Sequence, residues 1–149
     1  FDNNLYAFSM SGFGLDDEKG LIAKIGATFA KENVAIQDCT TGIDEISVIA
    51  RAEDFRGRNI IGKVKWNLTN AFSNRYKVSF EQGLGRLVIT GEGMKGSIGI
   101  AGEINRTLAE QGINVKYSSQ GPSEISIIHG VQNEVGPKAV QALYDRFLK

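Results

Sequence analysis

Two stretches of this chain align with each other without a gap, and that repeat limits the possible folds more than any other feature. The segment from Gly20, GLIAKIGATFAKENVAIQDCTTGIDEISVI, lies over the segment from Gly99, GIAGEINRTLAEQGINVKYSSQGPSEISII. Identities fall at Gly20/Gly99, Ile25/Ile104, Thr28/Thr107, Ala30/Ala109, Gly42/Gly121 and the triplets Glu45-Ile46-Ser47 and Glu124-Ile125-Ser126. The same offset pairs Gly12 and Gly14 with Gly91 and Gly93, and a four-residue change of offset pairs Leu68 and Phe72 with Leu143 and Phe147. A chance likeness between two helices would not hold register through loops and strands, so the chain reads as a duplication, with units 1–82 and 83–149.

Each unit reads as strand, helix, strand, strand, helix. Tyr6, Phe8 and Met10 alternate along a first strand at Leu5–Ser11. A helix from about Lys19 carries Leu21, Ile22, Ile25 and Phe29 at helical spacing. It stops at Asn33 and its twin at Gly112, residues that tolerate the left-handed conformation at a helix end. Strands Val34–Thr40 and Glu45–Ala50 flank a turn at Gly42, a second helix carries Ile60, Ile61, Val64, Leu68 and Phe72, and Lys77–Gln82 closes the unit. Unit two repeats this with strand Arg86–Thr90, helix Ser97–Gln111, strands Ile113–Ser119 and Glu124–Gly130, and helix Gly136–Lys149. The expected class is α+β, with tandem ferredoxin-like βαββαβ units whose antiparallel sheets carry helices on one face. Unit two lacks its fourth strand; the expected source is the segment before Phe1 in a parent chain, or another molecule.

Composition narrows the function. Lys+Arg and Asp+Glu both number 17, a balance that argues against a nucleic-acid or membrane-surface partner. No apolar run approaches the ~18 residues of a membrane span. A single cysteine excludes an intrachain disulfide framework and suits a cytoplasmic setting. A first residue that is Phe and not Met suggests a fragment of a cytoplasmic enzyme or a small sensor.

Gly91-Glu92-Gly93-Met94-Lys95-Gly96 matches GxGxxG between a strand and a helix. A dinucleotide fingerprint would need an acidic residue roughly 20 positions on, where the chain has Lys116, Tyr117, Ser118 and Ser119. The repeated copy, Gly12-Phe13-Gly14-Leu15-Asp16-Asp17, also lacks the third glycine. A smaller anion is better suited, because a helix N-terminus offers unpaired N–H groups and partial positive charge to a carboxylate. The structural alternative is that these glycines only make tight turns and the acids only cap a helix. Cys39 reads as a small buried strand residue, and the single histidine, His129, has no cluster that would make it a base or a metal ligand. Trp66 could pack on a helix face or at an interface.

The stretch Val88–Val131, with its GEGMKG turn, GIAGEI helix start and SQGPSEISI hairpin, resembles the second ACT unit of the paired ACT domains in aspartate kinases. VAIQDCTTGIDEISV in the first unit follows the same plan. The resemblance implies a regulatory region with no catalytic residues of its own, attached to a kinase domain that phosphorylates aspartate and alone would need ATP and Mg. It implies feedback by lysine and/or threonine, and a homodimer formed through the ACT units. By resemblance the effector residues of unit one are Met10, Asp16, Asp17, Lys19, Gly20, Leu21, Ile22, Ile36, Gln37 and Asp38. Those of unit two are Gly96, Ser97, Gly99, Ile100, Ala101, Val115 and Lys116. Only unit one sets three acids, Asp16, Asp17 and Glu18, beside its helix start, where they could receive an ammonium group; this favours unit one and lysine. The alternatives are a dimerisation module without a small ligand and a stand-alone amino-acid sensor.

Overall fold

Alternating side chains decide which face of each strand meets the helices, and the computed structural model, which describes residues 1–149, shows this in two units. The first comprises residues 4–82. In β1 (Asp2–Ser11), Phe8 and Met10 enter the core and Tyr6 packs against it, at a period of two. Helix α1 (Leu21–Lys31) sets Ile25, Thr28 and Phe29 on its buried face, while Ile22, in the first turn, is 57% exposed and not part of the expected apolar stripe. The helix ends where Asn33 turns left-handed at φ 57, and Val34 N–H donates to the Phe29 carbonyl at 3.0 Å. Strands β2 (Ile36–Thr41) and β3 (Glu45–Arg51) form the hairpin, α2 (Ile60–Ala71) buries Val64 and Leu68, and the sheet order is β2-β3-β1-β4.

Strand β4 (Lys77–Thr90) is one continuous element, not the two strands expected at 77–82 and 86–90. Gly83 sits within it at φ 77, and the strand passes there from the first unit to the second. Phe8 is the hub of the first core. Its ring lies 5.5 Å from that of Phe29, 5.3 Å from Phe55 and 5.0 Å from Phe80, so aromatic packing joins β1 to α1, to the 3₁₀ turn Ala52–Phe55 and to β4.

The second unit comprises residues 83–149 together with Phe1–Asn3. Here β4 pairs antiparallel with β6 (Ser126–Gln132), which pairs antiparallel with β5 (Tyr117–Gln120). Helices α3 (Ile100–Glu110) and α4 (Gly136–Phe147) cover an aliphatic core that includes Leu87, Ile104, Leu108, Ile127, Val131 and Leu143. Arg86 Nε donates to the Asp2 carboxylate at 3.0 Å, and the Phe1 ring lies where side chains at Gly85 and Gly136 would otherwise project. Beside this segment, Leu87–Thr90, Met94, Ile100 and α4 line an apolar groove of about 370 Å³.

The two hairpins differ. Ser11 of β1 faces Glu45, whereas the equivalent Thr90 of β4 faces Ser126, two residues beyond Glu124. The expected strand Glu124–Gly130 therefore starts at Ser126, and the matched Glu-Ile-Ser triplets occupy different places in their ladders. An even slip keeps every side chain on its original face, which is why both cores still close. His129, like its counterpart Ala50, therefore lies in the core wall, 1% exposed, with Nδ1 2.7 Å from Ser118 Oγ and Nε2 without a partner.

Two outcomes are expected. Phe8→Ala should lower unfolding free energy by about 3–5 kcal/mol in urea titrations, the cost of a large ring removed from a closed core. Burial pushes the His129 imidazole below its ordinary 6.5. The fold therefore holds it neutral, and its contribution is complete above that pH and lost progressively below it. The loss of melting temperature between about pH 7.5 and 5.5 should be smaller in His129→Leu than in the parent.

Candidate functional site

Both helix-entry loops are built the same way. Leu15 and its counterpart Met94 are buried and anchor their loops to the two cores. Each loop then reaches a glycine that precedes the helix, Gly20 at φ 75 and Gly99 at φ 86. A left-handed backbone at that point suits glycine, and glycine brings no side chain to cap the helix. Neither α1 nor α3 has a side-chain cap; in α1 the Leu21 N–H donates to the Glu18 carbonyl at 3.3 Å, and the remaining first-turn N–H groups suit solvent or a bound anion.

In the first unit the acids do not act as a set of three. Glu18 accepts the Tyr76 hydroxyl at 2.9 Å, Lys24 Nζ at 3.2 Å and Arg75 Nη2 at 2.8 Å. The Tyr76 hydrogen bond first, and then that of Lys24, hold its carboxyl below the ordinary carboxylate range. Glu18 is thus a tie between the loop, α1 and the segment before β4. Asp16, Asp17, Lys19 and Gly20 are exposed, and Leu21 packs against the core. Met10 is a core residue at 2% exposure, facing the helices with Phe8. On β2, Ile36 is exposed and the ladder slips between Ile36 and Asp38, which leaves Gln37 as an extra residue in a bulge. Cys39, expected to be buried, is exposed.

In the second unit the structure brings Gly96, Ser97, Gly99, Ile100 and Ala101 to one open groove of about 640 Å³. Val115 packs on the core and Lys116 precedes β5; neither lines the groove. The opposite wall is the β5–β6 hairpin, with Gln120, Gly121, Pro122 and Glu124, none of them expected as site residues. Glu124 Oε2 accepts the Gly96 N–H at 2.7 Å, and Ser97 Oγ donates to the Gly93 carbonyl at 2.6 Å. The GxGxxG match is no nucleotide cradle in shape: Glu92–Met94 form a 3₁₀ turn that sinks Met94 into the core, and α3 starts only at Ile100. No group of three His, Cys, Asp or Glu residues is placed to hold a metal ion, and no helix is long and apolar enough to cross a membrane.

This duplicated fold, with glycine-opened helices and paired hairpins, is that of tandem ACT units, and residues 87–147 match the ACT domain family. Over 98% of its length the chain is 25% identical to aspartokinase 3 of Bacillus subtilis and spans 32% of that protein. Aspartate kinase from Clostridium acetobutylicum superposes with a TM-score of 0.90 at 24% identity, over 98% of this chain and 33% of that one. The regulatory subunit of aspartate kinase from Thermus flavus superposes with a TM-score of 0.80 at 16% identity, over 98% of this chain and 94% of that one. Residues 87–147 thus match an ACT domain, and over its whole length the chain is similar to about a third of an aspartokinase.

The Glu18 tie generates a pH prediction. A carboxyl held below its unfolded value of 4.5 contributes stability that is complete above that pH and lost as pH falls through the folded value. Glu18→Gln should therefore flatten the acid limb of the stability profile below about pH 4.5 and change its slope little near neutrality, as read by urea titrations at several pH values.

Proposed function

We propose that this chain senses an end-product amino acid, lysine and/or threonine, and passes the signal to an aspartate kinase domain as feedback inhibition. The observation that carries the reading is the pair of uncapped, glycine-opened helix starts, each held by a buried anchor, one of them facing an open groove. Such a start suits an α-carboxylate. In the first unit Asp16 and Asp17 stand exposed beside Gly20, where they can receive an ammonium group, which favours lysine there. Glu18, already neutralised by Lys24 and Arg75, adds little to that preference.

Phosphoryl transfer to aspartate, with its ATP and Mg, belongs in this reading to a kinase domain outside the present residues. The regulatory step is a population shift, in which an effector moves an equilibrium only by its differential affinity for the two states. A site of ~0.1 mM affinity supplies about −5.5 kcal/mol, and ~1–3 kcal/mol of difference suffices for useful coupling. Exposed edge strands, β2 in the first unit with Ile36 on its surface, favour a homodimer built by sheet pairing.

Calorimetry with lysine and threonine on the parent and on Asp16→Asn/Asp17→Asn tests the site. Lysine should bind several-fold more weakly to the double variant, with threonine little changed. Unchanged lysine affinity would move the site away from the first loop, and heat from neither amino acid would end the sensing account.

A further inference from the structure

The repeated Glu-Ile-Ser triplet does not fill one place twice, and Glu124 is the residue that the slip sets free. Glu45 lies within β3 opposite Ser11, and its carboxylate accepts the Ser47 hydroxyl at 3.2 Å. Its counterpart Glu124 lies ahead of β6, left-handed at φ 61, a conformation uncommon for a residue with a Cβ. From there its carboxylate crosses to the loop before α3 and takes the Gly96 N–H at 2.7 Å, the short end of the range for an ionised acceptor. Among the residues lining the groove, Glu124 is the one that carries charge.

We propose that Glu124 sets the affinity of this groove by competition: it holds the backbone N–H that a ligand carboxylate would take, so an amino acid enters only by displacing it. The proposal rests on the sensing function above and adds the residue that tunes it. One N–H cannot serve two carboxylates at full strength, and two anions brought to one point repel. The ligand class is a small amino acid with a free α-carboxylate, because an ester has no anion to contest the position. Displacement removes this one tie, while the hairpin stays joined to the start of the loop through the Ile125 carbonyl, which accepts the Gly91 N–H at 3.0 Å and the Thr90 hydroxyl at 3.1 Å.

Two measurements on the chain decide this. Amide hydrogen exchange, read by NMR without any ligand, should be about tenfold faster at Gly96 in Glu124→Ala, with Glu124→Gln between it and the parent. Calorimetry with L-lysine, L-threonine and their methyl esters should show the free amino acid that binds the groove gaining about five- to tenfold in Glu124→Ala, with the esters unmoved. Glu124→Gln preserves the side-chain volume and keeps the test open if the alanine variant folds poorly. Unchanged Gly96 exchange in both variants overturns the competing contact. Weaker amino-acid binding in both overturns it too, by making Glu124 a direct partner of the ligand. Heat from neither amino acid in any variant ends the sensing function together with the displacement step, whereas unchanged exchange ends the competing contact alone.

Discussion

The rings gathered around Phe8 decide the geometry of the first unit. Helices cover one face of the sheet, so each strand must offer alternate side chains to that face, and Phe8 is where β1, α1, the 3₁₀ turn before α2 and β4 meet. The second unit solves the same problem with aliphatic side chains: Leu87 stands where Phe8 does, and Ile104 and Leu108 stand where Ile25 and Phe29 do. The loops inherit their positions from these cores. Leu15 and Met94 are the inner ends of those loops, and fixing them fixes where Gly20 and Gly99 open the helices.

Given equivalent scaffolds, the chemistry of the two loops diverges through a few charged groups. In the first unit Glu18 is spent on Lys24, Arg75 and Tyr76, which stiffens the approach to α1 and leaves Asp16 and Asp17 as the exposed acids. In the second unit no acid precedes Gly99 within the loop after Gly93, and the carboxylate arrives from the hairpin instead, as Glu124 on Gly96. The two loops therefore differ in the origin of their negative charge: local sequence in one, tertiary approach in the other.

That distinction also explains what the sequence made legible. The duplication, the α+β class, the helix ends at Asn33 and Gly112 and the glycine-opened loops depend on local pattern, and pattern showed them. The break expected in β4 fell at the boundary between the two repeats, yet Gly83 is accommodated inside a continuous strand by its backbone conformation. Met10 and Ile22 enter the expected site by resemblance alone; the structure sets Met10 in the core and Ile22 in solvent at the open first turn, a difference that a family likeness does not convey. The hairpin slip escaped because two identical triplets align without a gap and hydrophobic alternation is blind to a shift of two. With the slip unseen, neither Glu124 nor its hairpin could be placed beside the loop.

A hairpin that can slide by two residues while both cores stay closed separates two problems that most binding sites face together. A change of length at the turn rewrites the rim of the groove, yet it asks nothing new of the layer beneath, since every inward side chain is replaced by another of the same parity. Changes of even length at the turn thus leave the core pattern intact, whereas odd ones must be absorbed by a bulge such as that at Gln37. The two copies accordingly carry rims of different length on equivalent cores, a short one at Gly42 and a longer one around Pro122.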